Sequence, residues 1–216
     1  MSIVTDDLAA SSTPHLFARV PGAVVDARGL AHVAAPAREQ RDLAAGRALA
    51  PLDDRVALAV DGTDRLTWLD SITSQALSAL APGVSTELLV LDPQGHVEHA
   101  AAVVDDGERT WLIVDRDRAA ALLTWLTRMR FRLRVDPQDM SDGHRVVAGT
   151  AAAVAGLSTR AVWHDPWPAV GAGGWGYAVT DPHPGQSYDW AEAIVTVETL
   201  AEIAQAAASG SQTVAG

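Results

Sequence analysis

The stretch LTWLDSITSQALSALAPGVSTELLVLDPQGHVEH, residues 66–99, decides the fold. Leu66, Leu69, Ile72, Ala76 and Leu80 recur near helical spacing, which predicts a helix running to about Leu80 that Pro82-Gly83 stops. Thr63 is placed to cap its start. Residues 86–91 then form a strongly apolar run of strand length, read as buried on both faces. Pro93-Gln94-Gly95 reads as a tight turn, and residues 96–104 return as the partner strand. Helix, strand, turn and strand make one unit, with polar corners at residues 73–75 and 92–99.

Upstream, residues 55–60 (RVALAV) alternate, with Val56, Leu58 and Val60 on one face, and Asp61-Gly62 turns the chain. Downstream, Asp105-Asp106-Gly107 predicts a second hairpin turn, and residues 110–114 the third strand of a meander. Asp115 is placed to cap a helix over 116–127, with Ala120, Leu122, Leu123 and Leu126 inward. Residues 131–135 follow as a strand, with Phe131, Leu133 and Val135 on one face and Arg130, Arg132 and Arg134 on the other. From residue 55 the order is β-α-β-β-β-α-β. That is an α+β arrangement of an antiparallel sheet with helices on one face.

The flanks are less regular. Residues 1–37, rich in Ala, Ser, Pro and Gly, read as a flexible leader that allows a short strand at Ala23–Asp26. Residues 38–49 form an amphipathic pattern read as a short helix, which Pro51 ends. After Asp136 we expect a strand over 145–149, a short helix over 151–157, a strand over 174–180, and loops over 163–168 and 181–187. Thr199 and Glu202 have capping-box spacing, so a helix is expected from Thr199 to Ala208, with a loop-like end. The expected division is a leader over 1–37, an α+β domain over 38–141 and a second, incomplete α+β domain over 142–216.

Composition narrows the chemistry. Apolar residues make up 48%, enough for a sizeable core. Cysteine is absent, which excludes disulfides, thiolate catalysis, and Cys-ligated zinc or iron–sulfur clusters. All 16 basic residues are Arg, so there is no Schiff-base lysine and no P-loop lysine. A net charge of −11 repels a phosphate backbone, and nucleic acid is not expected as the main partner. The first twenty residues lack the apolar core of a secretory signal, and no apolar run reaches membrane-spanning length. The cytoplasm is the default compartment.

Several pieces in order carry a family resemblance. They are Val60-Asp61-Gly62 with Asp64-Arg65-Leu66 and Trp68-Leu69, then Ile72-Thr73-Ser74-Gln75 with Leu77, Leu80 and Gly83. Leu91-Asp92-Pro93-Gln94-Gly95-His96-Val97-Glu98 and Phe131-Arg132-Leu133-Arg134-Val135 follow. Together, over residues 38–141, they resemble the YgfZ-type folate-binding proteins, relatives of the T-protein (aminomethyltransferase) of the glycine cleavage system. The resemblance implies a T-protein-type fold of several small domains around a cavity that holds tetrahydrofolate. It also implies a role in synthesis or repair of iron–sulfur proteins, with those proteins as partners and folate as a ligand. By the same resemblance Thr73, Gln75, Asp92, His96, Glu98, His99 and Arg132 are the candidate folate-binding residues.

Two departures qualify the likeness. T-proteins carry an Asp pair just after the Gly turn, and here His99 and Ala100 match it, which argues against aminomethyl transfer. The K-G-C-(F/Y)-x-G-Q-E signature of the last third of YgfZ-type proteins is also absent, so a chain ending before the third domain is expected. A folate-dependent aminomethyltransferase and an interaction module without ligand remain the rival readings.

Each candidate has a plainer alternative. His96-Val97-Glu98-His99 is either an exposed polar edge or, by the resemblance, part of a ligand wall. A metal site on one strand fails because His99 faces away from His96 and Glu98. Arg130, Arg132 and Arg134 would suit the carboxylates of a folate tail, but a solvated strand face is preferred. Gly171, Gly173 and Gly176 match a dinucleotide pattern, but no strand-turn-helix surrounds them. Trp68, Trp111 and Trp125 read as core. Trp163, Trp167, Trp175 and Trp190 read as packing between domains in preference to an aromatic wall for a pterin.

Overall fold

A computed structural model describes residues 15–169 and 178–216. The chain opens with a 3-10 turn (Leu16–Arg19), β1 (Ala23–Asp26), β2 (Gly29–Val33), α1 (Pro36–Ala44) and β3 (Ala48–Pro51). Next come β4 (Arg55–Asp61), α2 (Arg65–Ile72), β5 (Ser85–Leu91), β6 (Val97–Asp105), β7 (Arg109–Asp115), α3 (Arg116–Met129) and β8 (Asp136–Asp139). The last third holds β9 (His144–Gly149), α4 (Ala151–Val154), β10 (Thr159–His164), β11 (Ala191–Thr196), α5 (Val197–Ala208) and β12 (Thr213–Val214). The β-α-β-β-β-α-β order from residue 55 is present, and with it the α+β class.

Two five-stranded sheets form, in the orders β5-β6-β7-β4-β8 and β10-β11-β9-β3-β12. The first is antiparallel throughout. The second is antiparallel except where β12 lies parallel to β3. The alternation in β4 sets the layers. Val56, Leu58 and Val60 pack with Trp68 and Leu69 of α2 and Leu122 and Leu126 of α3. Ala57 and Ala59 face the other way and pack, with Trp111 and Ile113, against Val146, Trp163 and Ile194 of the second sheet. Beyond that sheet, Phe17 and residues Leu200, Ile203 and Ala204 of α5 close the far core. By sheet and core, residues 15–51 therefore go with residues 144–216. No helix among the described residues is long and apolar enough to cross a membrane.

Several expected elements differ. Helix α2 ends at Ile72, because Thr73 is extended and the next residues are tied to other groups. The Asp70 carboxylate accepts the backbone N–H groups of Leu77 (2.6 Å) and Ser78 (3.0 Å), and Ser74 exchanges two hydrogen bonds with Leu89. Asp64, not Thr63, stands at its N-cap. β5 is a sheet edge in which Leu88 and Val90 are buried, Ser85, Glu87 and Leu89 are half-buried and Leu91 is exposed, so its two faces are unequally covered. In α3 the inward alanine is Ala119, not Ala120.

Residues 131–135 are not a strand. Phe131 has φ +45°, which no strand accommodates, and pairing with β4 begins at Asp136. The helix expected over 38–49 stops at Ala44, Gly46 turns with φ +68°, and residues 48–51 become a buried strand. β10 and β11 occupy sequence read as loop or left unassigned. α5 starts at Val197, where the Thr196 hydroxyl accepts the N–H of Thr199. Residues 174–177 of the expected strand lie outside the described residues, and 178–180 are in no strand. Residues 15–33, expected in the leader, form the 3-10 turn and the β1–β2 hairpin, with Phe17 fully buried.

Candidate functional site

The β5–β6 hairpin carries four of the residues picked from the sequence. At its tip, Asp92 accepts the backbone N–H groups of Gln94 and His96, both at 2.8 Å, and its second oxygen lies 2.9 Å from His96 Nδ1. The His96 side chain and these N–H groups hold the Asp92 carboxyl below its usual range. Further along, Val90 pairs with His99 but Leu91 with Val97, so Glu98 is bulged out of the ladder. A bulge of this kind re-aims its side chain.

Glu98 and His99 share a groove of about 490 Å³ between β6 and α3 with Val97, Arg118, Ala121, Thr124, Trp125 and Arg128. The Nδ1 atom of His99 is buried without a hydrogen-bond partner. Burial lowers the His99 pKa, against the charge of Glu98 and with that of Arg118, so the ring is neutral at neutral pH. A neutral imidazole, a carboxylate, two guanidinium groups and an indole thus meet on one surface.

The other predicted residues do different work. The Thr73 hydroxyl donates to the Leu69 carbonyl at 2.8 Å. Gln75 Nε2 donates to Thr86 Oγ1 (2.8 Å) and to the Glu87 carbonyl (3.0 Å). Thr73 closes the last turn of α2, and Gln75 ties the segment after it to β5. Arg132 is exposed after α3 and is not among the groove-lining residues. Its neighbours make no strand stripe: Arg134 binds Asp64 at 3.1 Å, and Arg130 lies 3.6 Å from Asp136. Arg118 and Arg128 are groove residues that the sequence reading does not single out, although 118, 121, 125 and 128 fall on one helical face; Trp125, expected as core, packs against the core and also lines the groove.

A second cleft, of about 690 Å³, opens where β4 ends and β7, β9 and β10 begin. Asp61, Asp106, Glu108, Arg109, Trp111, His144, Thr159 and Arg160 line it. Trp111, expected as core, lines this cleft and also packs between the sheets.

At the β5 edge, Trp163 Nε1 donates to the Thr86 carbonyl (2.8 Å) and Trp167 Nε1 to Glu87 Oε2 (3.1 Å). Trp190 stacks on Tyr188 with ring centroids 6.3 Å apart. These indoles bridge the sheets, as the packing reading expects. Glu192 lies buried among them, and burial raises its carboxyl pKa. Trp175, Gly171, Gly173 and Gly176 lie outside the described residues. Among the described residues no three His, Asp or Glu side chains are placed to hold a metal ion.

No family model matches this sequence, and no curated protein matches it. Among solved structures, it is similar to the glycine cleavage system aminomethyltransferase T from Bartonella henselae. The TM-score is 0.52 at 17% identity, and the match covers 59% of this chain and 37% of that one. A second match is heterotetrameric sarcosine oxidase from Corynebacterium sp. U-96, at TM-score 0.40 and 14% identity, covering 82% of this chain and 94% of that one. The present chain therefore spans well under half of the aminomethyltransferase it resembles. Over the matched part, its antiparallel α+β architecture is the fold of the glycine cleavage aminomethyltransferase.

Proposed function

We propose that this chain binds tetrahydrofolate as the YgfZ-type relatives of T-protein do, without catalysing aminomethyl transfer. The ordered motifs between Val60 and Val135 and the likeness in fold both support a folate ligand. The observation that carries the reading is the groove between β6 and α3. Glu98 offers a carboxylate to the hydrogen-bond-donating edge of a pterin, and Trp125 offers an aromatic surface. Arg118 and Arg128 suit the carboxylates of the glutamate tail. The hairpin tip at Asp92 and His96 borders the same strand pair, and Arg132 follows the same helix.

His99 and Ala100, which match the T-protein Asp pair, supply no carboxylate for the transfer chemistry. The role we assign, on the resemblance, is cytoplasmic assistance to synthesis or repair of iron–sulfur proteins, with folate as ligand. Titration calorimetry with tetrahydrofolate and 5-formyl-tetrahydrofolate tests the binding. Heat and a thermal shift are expected, and their absence at millimolar ligand overturns the reading. Arg118→Ala and Arg128→Ala are each expected to weaken binding by about 1.5–3 kcal/mol, roughly tenfold or more in Kd. Aminomethyl transfer by the purified chain would overturn the non-catalytic assignment.

A further inference from the structure

The cleft at the ends of β4, β7, β9 and β10 stands apart from the folate groove and shares none of its lining residues. Two of its five charged residues, Asp61 and Arg109, are already paired with each other. Asp61 accepts Arg109 Nε at 2.5 Å, Arg109 Nη2 at 2.7 Å and Gln138 Nε2 at 3.0 Å. Asp106 accepts the N–H groups of Glu108 (2.9 Å) and Arg109 (2.7 Å) and the Trp111 indole N–H (2.8 Å). The Arg109 guanidinium lies 5.2 Å above the Trp111 ring. Asp61, Asp106, Arg109 and Trp111 thus form a wall whose polar groups are engaged with one another and with the neighbouring backbone.

What faces the cleft with bonding capacity to spare is a short set. No hydrogen bond or ion pair is found for the Arg160 or Glu108 side chains among the described residues. His144 Nδ1 lies 3.3 Å from the Met140 carbonyl, so the proton sits on Nδ1 and Nε2 presents a lone pair. Burial, with the charges of Arg160 and Arg109, lowers the His144 pKa and keeps the ring neutral, against the carbonyl contact and Glu198. Thr159 adds a hydroxyl. Among the described residues the cleft thus offers an Arg and a Glu side chain without protein partners, and a neutral acceptor. A simple anion leaves Glu108 unmatched and a simple cation leaves Arg160 unmatched, whereas a zwitterion engages both.

We propose that this cleft binds a zwitterionic ligand of amino-acid or short-peptide size. Arg160 takes the carboxylate, Glu108 the ammonium group, and His144 Nε2 accepts a further N–H or O–H. A volume of about 690 Å³ accommodates such a ligand.

Three probes with one backbone separate the charge terms: triglycine, its N-acetyl form and its C-terminal amide. Calorimetry on the full chain should show triglycine binding, with each capped form weaker by roughly tenfold or more. Glu108→Gln should cut triglycine binding to the level of the amine-blocked probe, and Arg160→Gln to that of the amide. Both positions are exposed, and far-ultraviolet circular dichroism checks that the variants fold. No heat from triglycine at about 10 mM, or equal binding of all three probes, overturns the proposal. Unchanged binding in both variants overturns it as well. Folate titration of the same samples reads the other groove separately.

Discussion

At the scale of single residues, a motif that carries the sequence resemblance does structural work. Arg65, from Asp64-Arg65-Leu66, donates from Nε and Nη2 to both oxygens of Asp105 at 2.8 Å. Asp105 is 1% exposed and also accepts from Thr110 Oγ1 and the Gly107 N–H. Burial alone would raise its pKa, but these hydrogen bonds and the Arg65 charge outweigh burial and lower it. Arg65→Met leaves that buried carboxylate without its counter-charge, and should cost about 3–5 kcal/mol in urea unfolding. Since the folded pKa is depressed, this stability is present above the ordinary Asp range and is lost as pH falls through the lowered value.

Glu192 has the opposite sign. It is 5% exposed with Oε2 unpartnered, and burial raises its pKa against the nearby Arg55. The folded state therefore holds the proton longer than the unfolded state, and stability falls as pH rises from the ordinary Glu value to the raised one. Glu192→Gln should raise Tm at pH 7, with the gain shrinking toward pH 4. An equal gain at both pH values would contradict this.

At the scale of elements, the sequence could be followed wherever local chemistry and packing agreed. The β4 alternation, the two hairpin turns and the meander fall where their patterns put them. Helix α2 was overextended because helical spacing continues to Leu80 in the sequence. Asp70 instead captures two backbone N–H groups, an alternative that Asp side chains offer the backbone. The alternation of residues 131–135 imitates a strand, but Phe131 takes a left-handed turn and is 78% exposed. The β4–α2 turn depends on Gly62, with φ +113°, where a Cβ would stand 2.0 Å from the Arg134 carbonyl oxygen. Gly62→Ala should destabilise by more than about 1–3 kcal/mol in chemical denaturation, since backbone would have to move. A neutral effect would mean the turn is not held as described.

At the scale of the whole molecule, two sheets share a layer to which distant segments contribute. Ile194 is fully buried there with Ala57, Ala59 and Trp163. Ile194→Ala should cost about 2–5 kcal/mol in thermal or urea unfolding, through lost burial and the cavity left behind. The same layer explains why Trp163 and Trp167 bridge sheets and why Trp111 both packs and lines a cleft. Residues 48–51 join the second sheet, between β9 and β12, through pairings nearly a hundred residues or more apart in sequence.

The sequence by itself determined the α+β class, the order of elements from residue 55, the hairpin and the likeness in fold to the aminomethyltransferase. Periodicity and turn chemistry are local, and they read directly from neighbouring residues. Of the candidate site it identified Glu98 and His99, but not Arg118, Trp125 and Arg128. Those join the groove only when α3 packs across the sheet against β4 and β7, and the bulged Glu98 lines the groove with them. Tertiary structure alone decided that Gln75 fastens the end of α2 to β5, and that the unpaired groups of the second cleft come from both sheets. Long-range pairing and the mutual neutralisation of charges depend on which segments meet, and no local pattern encodes that.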